Sequence, residues 1–552
     1  MMHRSVRLLV LLAIVLTSLA GCSSDDTKDE AHEATTASGR SDVVVDYRSS
    51  DAGGAPKTQV IAQDNRFVPE NVRINVGQTV RWTNQGRNQH DIKQSGNVSA
   101  YGKPFGVTAD IFVPLGGTYE FTFTKPGVYT YYCTLHGTPD QGMVGAIIVG
   151  DAEWKPPEVR VAAEKKSGTL EVPGQYPTIQ AAVDAAAEDA LVLIAPGVYK
   201  EAVVVNSPNI VIRGKDRNEV ILDGELENDN GFHVFADGVA IENLTVRRYK
   251  TNGVFWDGVD GYRGSYLTAY NNGLYGVYAF ASVSGQFDHS YASGSPDSGF
   301  YIGQCDPCKG VITDVIAEHS QLGYSGTNAS DVTIVNSIWR YNRIGIVPNS
   351  QDVEELPPVK DNTVVGNLVY DNDNLEAATA DNALYDALVG SGIAMTGTLD
   401  SLVARNRVYD HDWFGIVLAP YPSDPNFYTV ERTKVRDNVV EGSGHADLAA
   451  VFTQAKQGNC FAGNTFKTSA PSDIEVRLAC TGPRAEDLTP GQVDPNELLN
   501  RDEPEGKPYD QQPVPEPQPN MPDAENAKPI PARASVVPVR IDIDAIKVPA
   551  RS

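Results

Sequence analysis

The sequence lacks an excess of basic residues. It contains 45 Lys and Arg against 71 Asp and Glu in 552 residues, which gives a formal net charge of −26. Because nucleic-acid binding depends on a basic surface, this balance argues against a nucleic-acid partner and favours a partner with a basic surface. Long hydrophobic runs are also missing near the start, where the apolar run Leu8 to Leu19 is too short to span a bilayer as a helix.

Helix-favouring composition is scarce as well, since 49 Gly, 35 Pro and 24 Tyr are typical of turn-rich β structure. At the N-terminus, Arg4 and Arg7 precede the apolar run in the order of a secretory signal. The run ends in Leu19-Ala20-Gly21-Cys22, which resembles the lipobox of bacterial lipoproteins. The resemblance implies that residues 1–22 are a signal peptide, that Cys22 is lipidated, and that the protein is extracytoplasmic and anchored to the bacterial cell membrane.

Two terminal segments lack the periodic apolar positions of a folded core. Residues 23–57 are rich in Ser, Thr, Asp, Glu and Gly, which predicts a disordered tether. Residues 485–552 are predicted to be a disordered tail, because Pro504 to Pro549 contains eleven prolines in 46 residues. An alternative for Val536 to Ile546 is docking as an edge strand.

The first folded region covers residues 58–150 and shows the alternation of short strands. Gly77, Gly116-Gly117 and Pro126-Gly127 separate the runs as turns. The alternating runs are Val72–Val76, Thr79–Trp82, Thr118–Phe123 and Val128–Tyr132. About 90 residues with this pattern predict a small β-sandwich.

Four residues of this region have the chemistry of a copper site: His90, Cys133, His136 and Met143. One thiolate, two imidazoles and a weak thioether suit copper that cycles between two oxidation states. The Cys-x2-His spacing places two donors on one short loop after a strand, and His90 comes from a separate strand end. Two alternatives are half of a zinc site, which would need more strong donors nearby, and a buried apolar Cys in a sandwich without metal.

Several motifs of this region closely resemble the cupredoxins of the plastocyanin and pseudoazurin type. They are Phe67-Val-Pro69, Val80-x-Trp82-x-Asn84, Pro126-Gly-x-Tyr129 and Tyr132-Cys-Thr-Leu-His136 followed by Gly142-Met143. The resemblance implies a Greek-key sandwich with one type 1 copper, with His90, Cys133 and His136 as trigonal ligands and Met143 as the axial one. It also implies single-electron transfer with the exposed edge of His136 as the electron port. The loop from His136 to Met143 is longer than in plastocyanins, so the resemblance does not predict the reduction potential of the copper.

After a linker at residues 151–168, residues 169–484 repeat with a period of about 23. Gly followed by apolar or aromatic residues recurs at Gly231, Gly253, Gly276, Gly299, Gly323, Gly345, Gly392 and Gly415. This period with β-rich composition predicts the rungs of a parallel β-helix. The doubled interval before Gly392 has two explanations: a rung without the Gly, or one rung with insertions. We favour insertions at Gln351 to Lys360 and Leu375 to Val389.

The repeat region resembles the right-handed parallel β-helix superfamily of pectin-modifying enzymes, alginate epimerases and proteins of nitrous-oxide-reductase copper maturation. The similar segments are Tyr176–Val183 and Ala195-Pro-Gly-x-Tyr199, which belong to the scaffold and name no activity. Catalytic residues therefore stay unknown. Asp410–Trp413 and Gly442–Asp447 contain suitable residue types, but polar turns are the favoured interpretation. Two roles are open for a further set of residues: they line a carbohydrate groove or, as we favour, they pack in the interior. The set is Tyr301, Gln304, Tyr324, Trp339 and Arg343.

Only six cysteines are present. With Cys22 lipidated and Cys133 on copper, the remaining four are predicted to form two disulfides in an oxidising compartment. The pairs are Cys305 with Cys308 and Cys460 with Cys480. A redox or metal role for the Cys-x2-Cys pair is the alternative.

The sequence thus predicts an all-β protein: a cupredoxin sandwich followed by a right-handed parallel β-helix. The predicted function is single-electron transfer at copper, with the β-helix recognising a redox protein or copper enzyme of the cell envelope, or a polysaccharide. Two alternatives remain: a polysaccharide lyase or epimerase with an accessory copper domain, and a copper carrier for maturation of another metalloenzyme.

Overall fold

The computed structural model describes most of the chain after the N-terminal segment. The described residues are 43–48, 58–63, 65–86, 89–109, 111–112, 116–156, 165–380, 383–423, 425–484 and 487–551. The predicted signal peptide, the predicted lipidation at Cys22 and most of the predicted tether lie outside these residues. Among the helices in the described ranges, none is both long enough and apolar enough to cross a membrane.

The first domain is a sandwich of two sheets. Its strands are β1 Val45–Asp46, β2 Thr58–Gln63, β3 Arg66–Val68, β4 Asn71–Ile74, β5 Thr79–Asn84, β6 Ile92–Gln94, β7 Gly106–Val107, β8 Thr118–Thr122, β9 Gly127–Gly137 and β10 Gly142–Val149. One sheet has the order β1-β4-β10-β9-β6-β7 and the other β3-β2-β5-β8. Trp82 lies between them in contact with Phe105, Tyr119 and Tyr131, so alternate residues of both sheets form the core.

The sandwich begins earlier than the sequence predicts. Val45 and Asp46, placed in the disordered tether, pair in parallel with Val72 and Arg73. Arg73 also donates hydrogen bonds to the carbonyls of Gly150 and Ala152 at 3.0 and 2.9 Å. These bonds hold the start of the predicted linker against the sandwich.

The second domain is a parallel β-helix whose first end is closed by helix α1, Ile179–Ala185. Thr178 caps α1 by accepting a hydrogen bond from the backbone N–H of Ala181, and Ile179, Ala182 and Val183 face the core. One sheet of eleven strands takes one strand from each turn: β14 Val203–Val205, β17 Asn230–Val234, β19 Asn252–Asp257, β21 Tyr275–Phe280, β24 Ser298–Gly303, β27 Leu322–Thr327, β30 Ile344–Asn349, β33 Ser391–Thr396, β36 Phe414–Ala419, β41 Ala446–Ala450 and β43 Ser469–Ala470.

The other walls form one bent sheet of twenty strands. They are β11 Thr169–Val172, β12 Leu191–Ile194, β13 Gly197–Tyr199, β15 Val211–Gly214, β16 Val220–Asp223, β18 Val239–Arg247, β20 Asp260–Tyr270, β22 Val283–Asp288, β23 Tyr291–Ser293, β25 Gly310–Thr313, β26 Ile316–Glu318, β28 Val332–Val335, β29 Ile338–Arg340, β31 Thr363–Val365, β32 Leu368–Tyr370, β34 Leu402–Ala404, β35 Arg407–His411, β39 Lys434–Arg436, β40 Val439–Ser443 and β42 Cys460–Ala462. A two-stranded hairpin, β37 Tyr421–Pro422 and β38 Phe427–Tyr428, projects from the wall.

The glycine period predicted from sequence marks close approach between turns. A Cβ on Gly253 would lie 2.5 Å from the carbonyl oxygen of Gly276 in the next turn, so a side chain at this position would separate the strands. The doubled interval is one turn with insertions, because β30 pairs directly with β33. The inserted residues lie in the long connections before β31 and after β32. This agrees with the explanation favoured from sequence.

Three short helices and two disulfides lie in or beyond the later turns. The helices are α2 Ala383–Asp386, α3 Ile474–Arg477 and α4 Pro495–Leu499, and single 3-10 turns occur at Ala455–Gln457, Tyr509–Gln511 and Ile543–Ala545. Disulfides join Cys305 to Cys308 and Cys460 to Cys480.

The Pro-rich tail differs from its prediction. Residues 487–551 were expected to be disordered, yet they lie along the β-helix and bond to it. Side chains of the wall donate to tail carbonyls: Arg213 to Ala524 and Ala527, Arg217 to Pro519, Asn218 to Gln518 and Arg407 to Pro549. The segment from Val536 to Ile546 does dock, but without forming an edge strand. An extended proline-rich chain cannot supply many donors, so the wall supplies them.

Docking of the tail depends on a small apolar contact that can be tested. Ile546 packs on a cluster of Val335, Val365 and Ala404. We expect Ile546→Asp to release this part of the tail, because burying even an uncharged polar group without a partner costs about 1–3 kcal/mol and a carboxylate costs more. Limited trypsin digestion should then cleave the tail about tenfold faster. Val514→Asp is the control, since Val514 is 71% exposed, and equal cleavage of both variants would contradict the docking.

Candidate metal centre

Three donor atoms converge at one end of the sandwich. The Nδ1 atoms of His90 and His136 lie 3.1 Å apart, and Cys133 Sγ lies 3.8 Å from His90 Nδ1 and 3.5 Å from His136 Nδ1. The side chains are buried, and Cys133 carries a free thiol. Among the residues that the structure describes, these three form the one group of His, Cys or acidic side chains that could hold a metal ion.

An irregularity in strand pairing brings these donors together. On β9 and β10, Tyr132 pairs with Val144 and Gly137 pairs with Gly142, so the four residues 133–136 stand opposite Met143 alone. Such a bulge turns side chains of one strand towards a common point. The sequence predicted a loop after the strand here, whereas β9 continues as extended chain to Gly137.

The geometry fits a small soft ion. Donors bound at about 2.0–2.3 Å from one ion lie roughly 3–4 Å from each other, as these three do. A thiolate with two imidazoles is the donor set of blue-copper sites, which add a weak axial Met. Met143 is fully buried in the same core cluster as Cys133. Its role as the axial ligand stays a prediction.

A carboxylate ties the two ligand segments together. Asp91, next to His90, accepts hydrogen bonds from the backbone N–H and the hydroxyl of Thr134, at 2.6 and 2.7 Å. Asn84 holds the preceding segment, because its side chain accepts from the N–H of Gly86 and donates to the carbonyl of Phe112. These bonds fix the distance between His90 and Cys133 before any ion binds.

Burial changes the proton affinity of the donors. It raises the pKa of the Cys133 thiol far above its usual range, and the charge of Asp91 adds to the effect. The pKa of His136 is held well below its usual range, first by burial and then by the nearby His90 and His233. The imidazole of His136 is therefore neutral at neutral pH, which is the form that binds metals.

The exposed electron port predicted at His136 is not seen. The residue is only 1% exposed, because the β-helix covers this end of the sandwich. Asn230 donates a 3.4 Å hydrogen bond to the carbonyl of Leu135, and a Cβ on Gly142 would lie 3.2 Å from the ring of Phe235. The prediction from family resemblance considered the sandwich alone and missed these residues.

Two polar candidates on the β-helix, His411 and Asp447, have structural positions, whereas Asp410 and Asp412 are exposed. His411 is buried, burial lowers its pKa to about 3, and its Nδ1 accepts from the backbone N–H of Asn372. Asp447 is also buried and accepts from the backbone N–H groups of Ser443, Lys467 and Thr468. Both side chains bond neighbouring backbone, which supports the interpretation as turn residues.

The residues proposed for a carbohydrate groove are buried too. Tyr324 and Trp339 lie in the interior core, and Tyr301 donates a 2.5 Å hydrogen bond to Glu354 of the first insertion. Gln304 accepts from the backbone N–H of Glu355, and Arg343 donates to the carbonyl of Leu375 and to the tail. The structure thus places them in packing roles, as favoured from sequence.

Comparison with protein families assigns both domains. The model of copper binding proteins of the plastocyanin/azurin family matches residues 55–150, and the model of the right handed beta helix region matches residues 230–382. These matches confirm the two predicted folds.

Two relatives match the copper-binding domain, and one solved structure aligns with more than half of the chain. Halocyanin of Natronomonas pharaonis is 31% identical over 154 residues, which cover 25% of this chain and 90% of halocyanin. Plastocyanin of a Synechococcus strain is 34% identical over 100 residues, 17% of this chain and 68% of that protein. The A-module of the Azotobacter vinelandii mannuronan C-5 epimerase AlgE4 aligns at 15% identity with a TM-score of 0.38, over 55% of this chain and 93% of the module.

Proposed function

Because the chain belongs, through residues 55–150, to the plastocyanin/azurin family of copper-binding proteins, we propose that it carries single electrons with one type 1 copper outside the cytoplasm. His90, Cys133 and His136 are the strong ligands and Met143 the axial one. The observation that carries the proposal is the buried triad of donors, 3.1–3.8 Å apart, within the family match.

The residues around the triad support electron transfer rather than bond chemistry. When bound, copper supplies a one-electron couple. The Asp91–Thr134 bonds keep the ligand segments in place in both oxidation states, and the buried surroundings keep water from the donors. A rigid, dry site with four protein ligands leaves no open position for a substrate.

The wider setting is part of the same proposal. Lipidation at Cys22 tethers the protein to the bacterial cell membrane, and the β-helix recognises a redox protein or copper enzyme of the envelope. The net charge of −26 favours a basic partner surface. We do not extend the proposal to polysaccharide turnover, because Tyr301 and Asp447, two of the candidates for it, are buried in structural contacts.

A reductive titration tests the proposed function. The Cu(II)-loaded protein is expected to show an intense visible band, which a one-electron reductant bleaches at one equivalent per protein and which reoxidation restores. Bleaching reports occupancy of the cysteinate–copper site, since that bond gives the colour. A colourless copper-loaded protein with an intact fold, or a band that consumes more than one electron, would contradict the proposal.

A further inference from the structure

The end of the sandwich that carries the donors contacts the β-helix at the eleven-stranded sheet. Contacts between the domains extend over several turns of the β-helix. They include Asn230 with Leu135, Phe235 with Gly142, Asn65 with Tyr278, and the ion pair of Arg66 with Glu355 at 3.5 Å. The copper domain therefore has its own β-helix as a neighbour at the surface where a redox partner would otherwise dock.

His233 lies on β17 together with Asn230, which bonds to the ligand segment at Leu135. His233 is only 4% exposed, and it is among the groups that lower the pKa of His136. Its Nε2 is 3.2 Å from Asp257 Oδ2, and its ring stacks between Phe235 and Phe255 at centroid distances of 3.9 and 4.4 Å. These contacts hold the imidazole of His233 in one orientation.

The side chain of His136 is closed off from solvent. Its Nε2 is buried and has no hydrogen-bond partner among the described residues. A polar nitrogen shut off from water in this way is costly, and it persists only where the surrounding packing determines it. The unpartnered nitrogen marks the dry boundary between the two domains.

We propose that the β-helix forms the outer wall of the copper centre: His233 and Phe235 close the His136 edge, raise the reduction potential of the site and prevent a partner protein from docking directly on His136. Asp257 and Phe255 act as positioning residues for His233. The inference rests on the proposed electron-transfer function and assigns to the second domain a direct role in it.

The sign of the effect on the potential follows from solvation. The oxidised site carries one more positive charge than the reduced site, and water stabilises the higher charge more strongly. A wall that excludes water therefore favours the reduced form. Removing the wall should lower the potential, because solvent access around a metal site controls its potential.

The test uses His233→Ala and Phe235→Ala in the full copper-loaded chain. We expect the equilibrium constant for reduction against a one-electron reference couple to fall by about tenfold, which corresponds to ~59 mV. Reduction by ferrocytochrome c, a protein donor that gives up one electron, should become faster by about one decade as the edge opens. Hexaammineruthenium(II), a small one-electron donor, should gain less.

Matched controls separate the wall from general damage. His445→Ala and Phe452→Ala make the same substitutions on later turns, where Phe452 is 44% exposed, and should leave the potential unchanged. Relative to His233→Ala, the variant His233→Phe restores an aromatic ring at this position and should recover most of the wild-type potential. If it does not recover the potential, the effect comes from the imidazole itself, and closure by ring packing is wrong.

The outcomes distinguish this inference from the proposed function. Suppose that His233→Ala and Phe235→Ala both keep the visible band, the wild-type potential and the wild-type rate of reduction by ferrocytochrome c. The proposed role of the β-helix as a wall is then wrong, and the proposal of electron transfer at copper still stands. If the wild-type protein itself lacks the band, the proposed function fails first. Thermal unfolding of each variant shows whether its fold is retained.

Discussion

Replacing Cys133 by Ser is expected to abolish the intense visible band of the copper-loaded protein. The band arises from the bond between the cysteine sulfur and copper, and Cys133 has the free thiol of the donor cluster. A hydroxyl is a poor ligand for the reduced ion, so copper affinity should fall by more than about 100-fold, beyond the loss typical of outer-shell changes. Optical spectra and copper titration of both proteins measure the two effects.

The control for this substitution exchanges other cysteines in the same way. The double variant Cys305→Ser, Cys308→Ser removes the disulfide at a β-helix turn, outside the donor cluster. It should keep the visible band at wild-type intensity. Retention of the band in Cys133→Ser, or its loss only in the double variant, would place the thiolate at the wrong residue and would exclude the site described above.

The donor cluster could be predicted from sequence because most of its information is local. Cys133, His136 and Met143 lie within eleven residues of one another, and the strand pattern around them identifies the sandwich. His90 was placed at a separate strand end, 43 residues before Cys133. The loop predicted for Cys133 and His136 was wrong because the register shift opposite Met143 depends on pairing with β10, which spacing does not encode.

The burial of His136 could not be predicted in the same way. It depends on contacts such as that between Gly142 and Phe235, which are 93 residues apart and belong to different domains. His233 stands in one of the repeated segments after Gly231, with no local pattern that sets it apart. Disorder of the tail was predicted wrongly for a related reason. Its proline-rich composition offers few hydrogen-bond donors, but Arg213, Arg217 and Asn218 on the wall supply donors to its carbonyls.

The periodic part of the β-helix was the easiest to predict, since each turn repeats the same steric need. Gly253 faces the backbone of Gly276, and the same contact recurs between Gly276 and Gly299. A second repeating feature was missed: a ladder of asparagines at one corner, formed by Asn367, Asn406, Asn438 and Asn464. The first three are buried, and the backbone N–H of each of these donates to the side chain of the next asparagine.

Asn406 has the most complete set of bonds in this ladder. Its Oδ1 accepts from the backbone N–H and the side chain of Asn367, at 2.9 and 3.0 Å. Its Nδ2 donates to the carbonyl of Val364 and to Asn438 Oδ1. All these groups are buried, so the side chain connects the backbones of neighbouring turns where no water reaches them.

Asn406→Ala should therefore destabilise the β-helix by about 2–5 kcal/mol, because it leaves a backbone N–H and a carbonyl unpaired in the interior. Equilibrium urea unfolding of the copper-free protein, followed by far-UV circular dichroism, measures the change as a shift of the midpoint of the β-helix transition. Asn426→Ala is the control, since Asn426 is exposed and bonds at the surface. Since the ladder is remote from the copper ligands, the visible band of the folded variant should match the wild type; equal midpoints for the two variants would show that the ladder contributes nothing to stability.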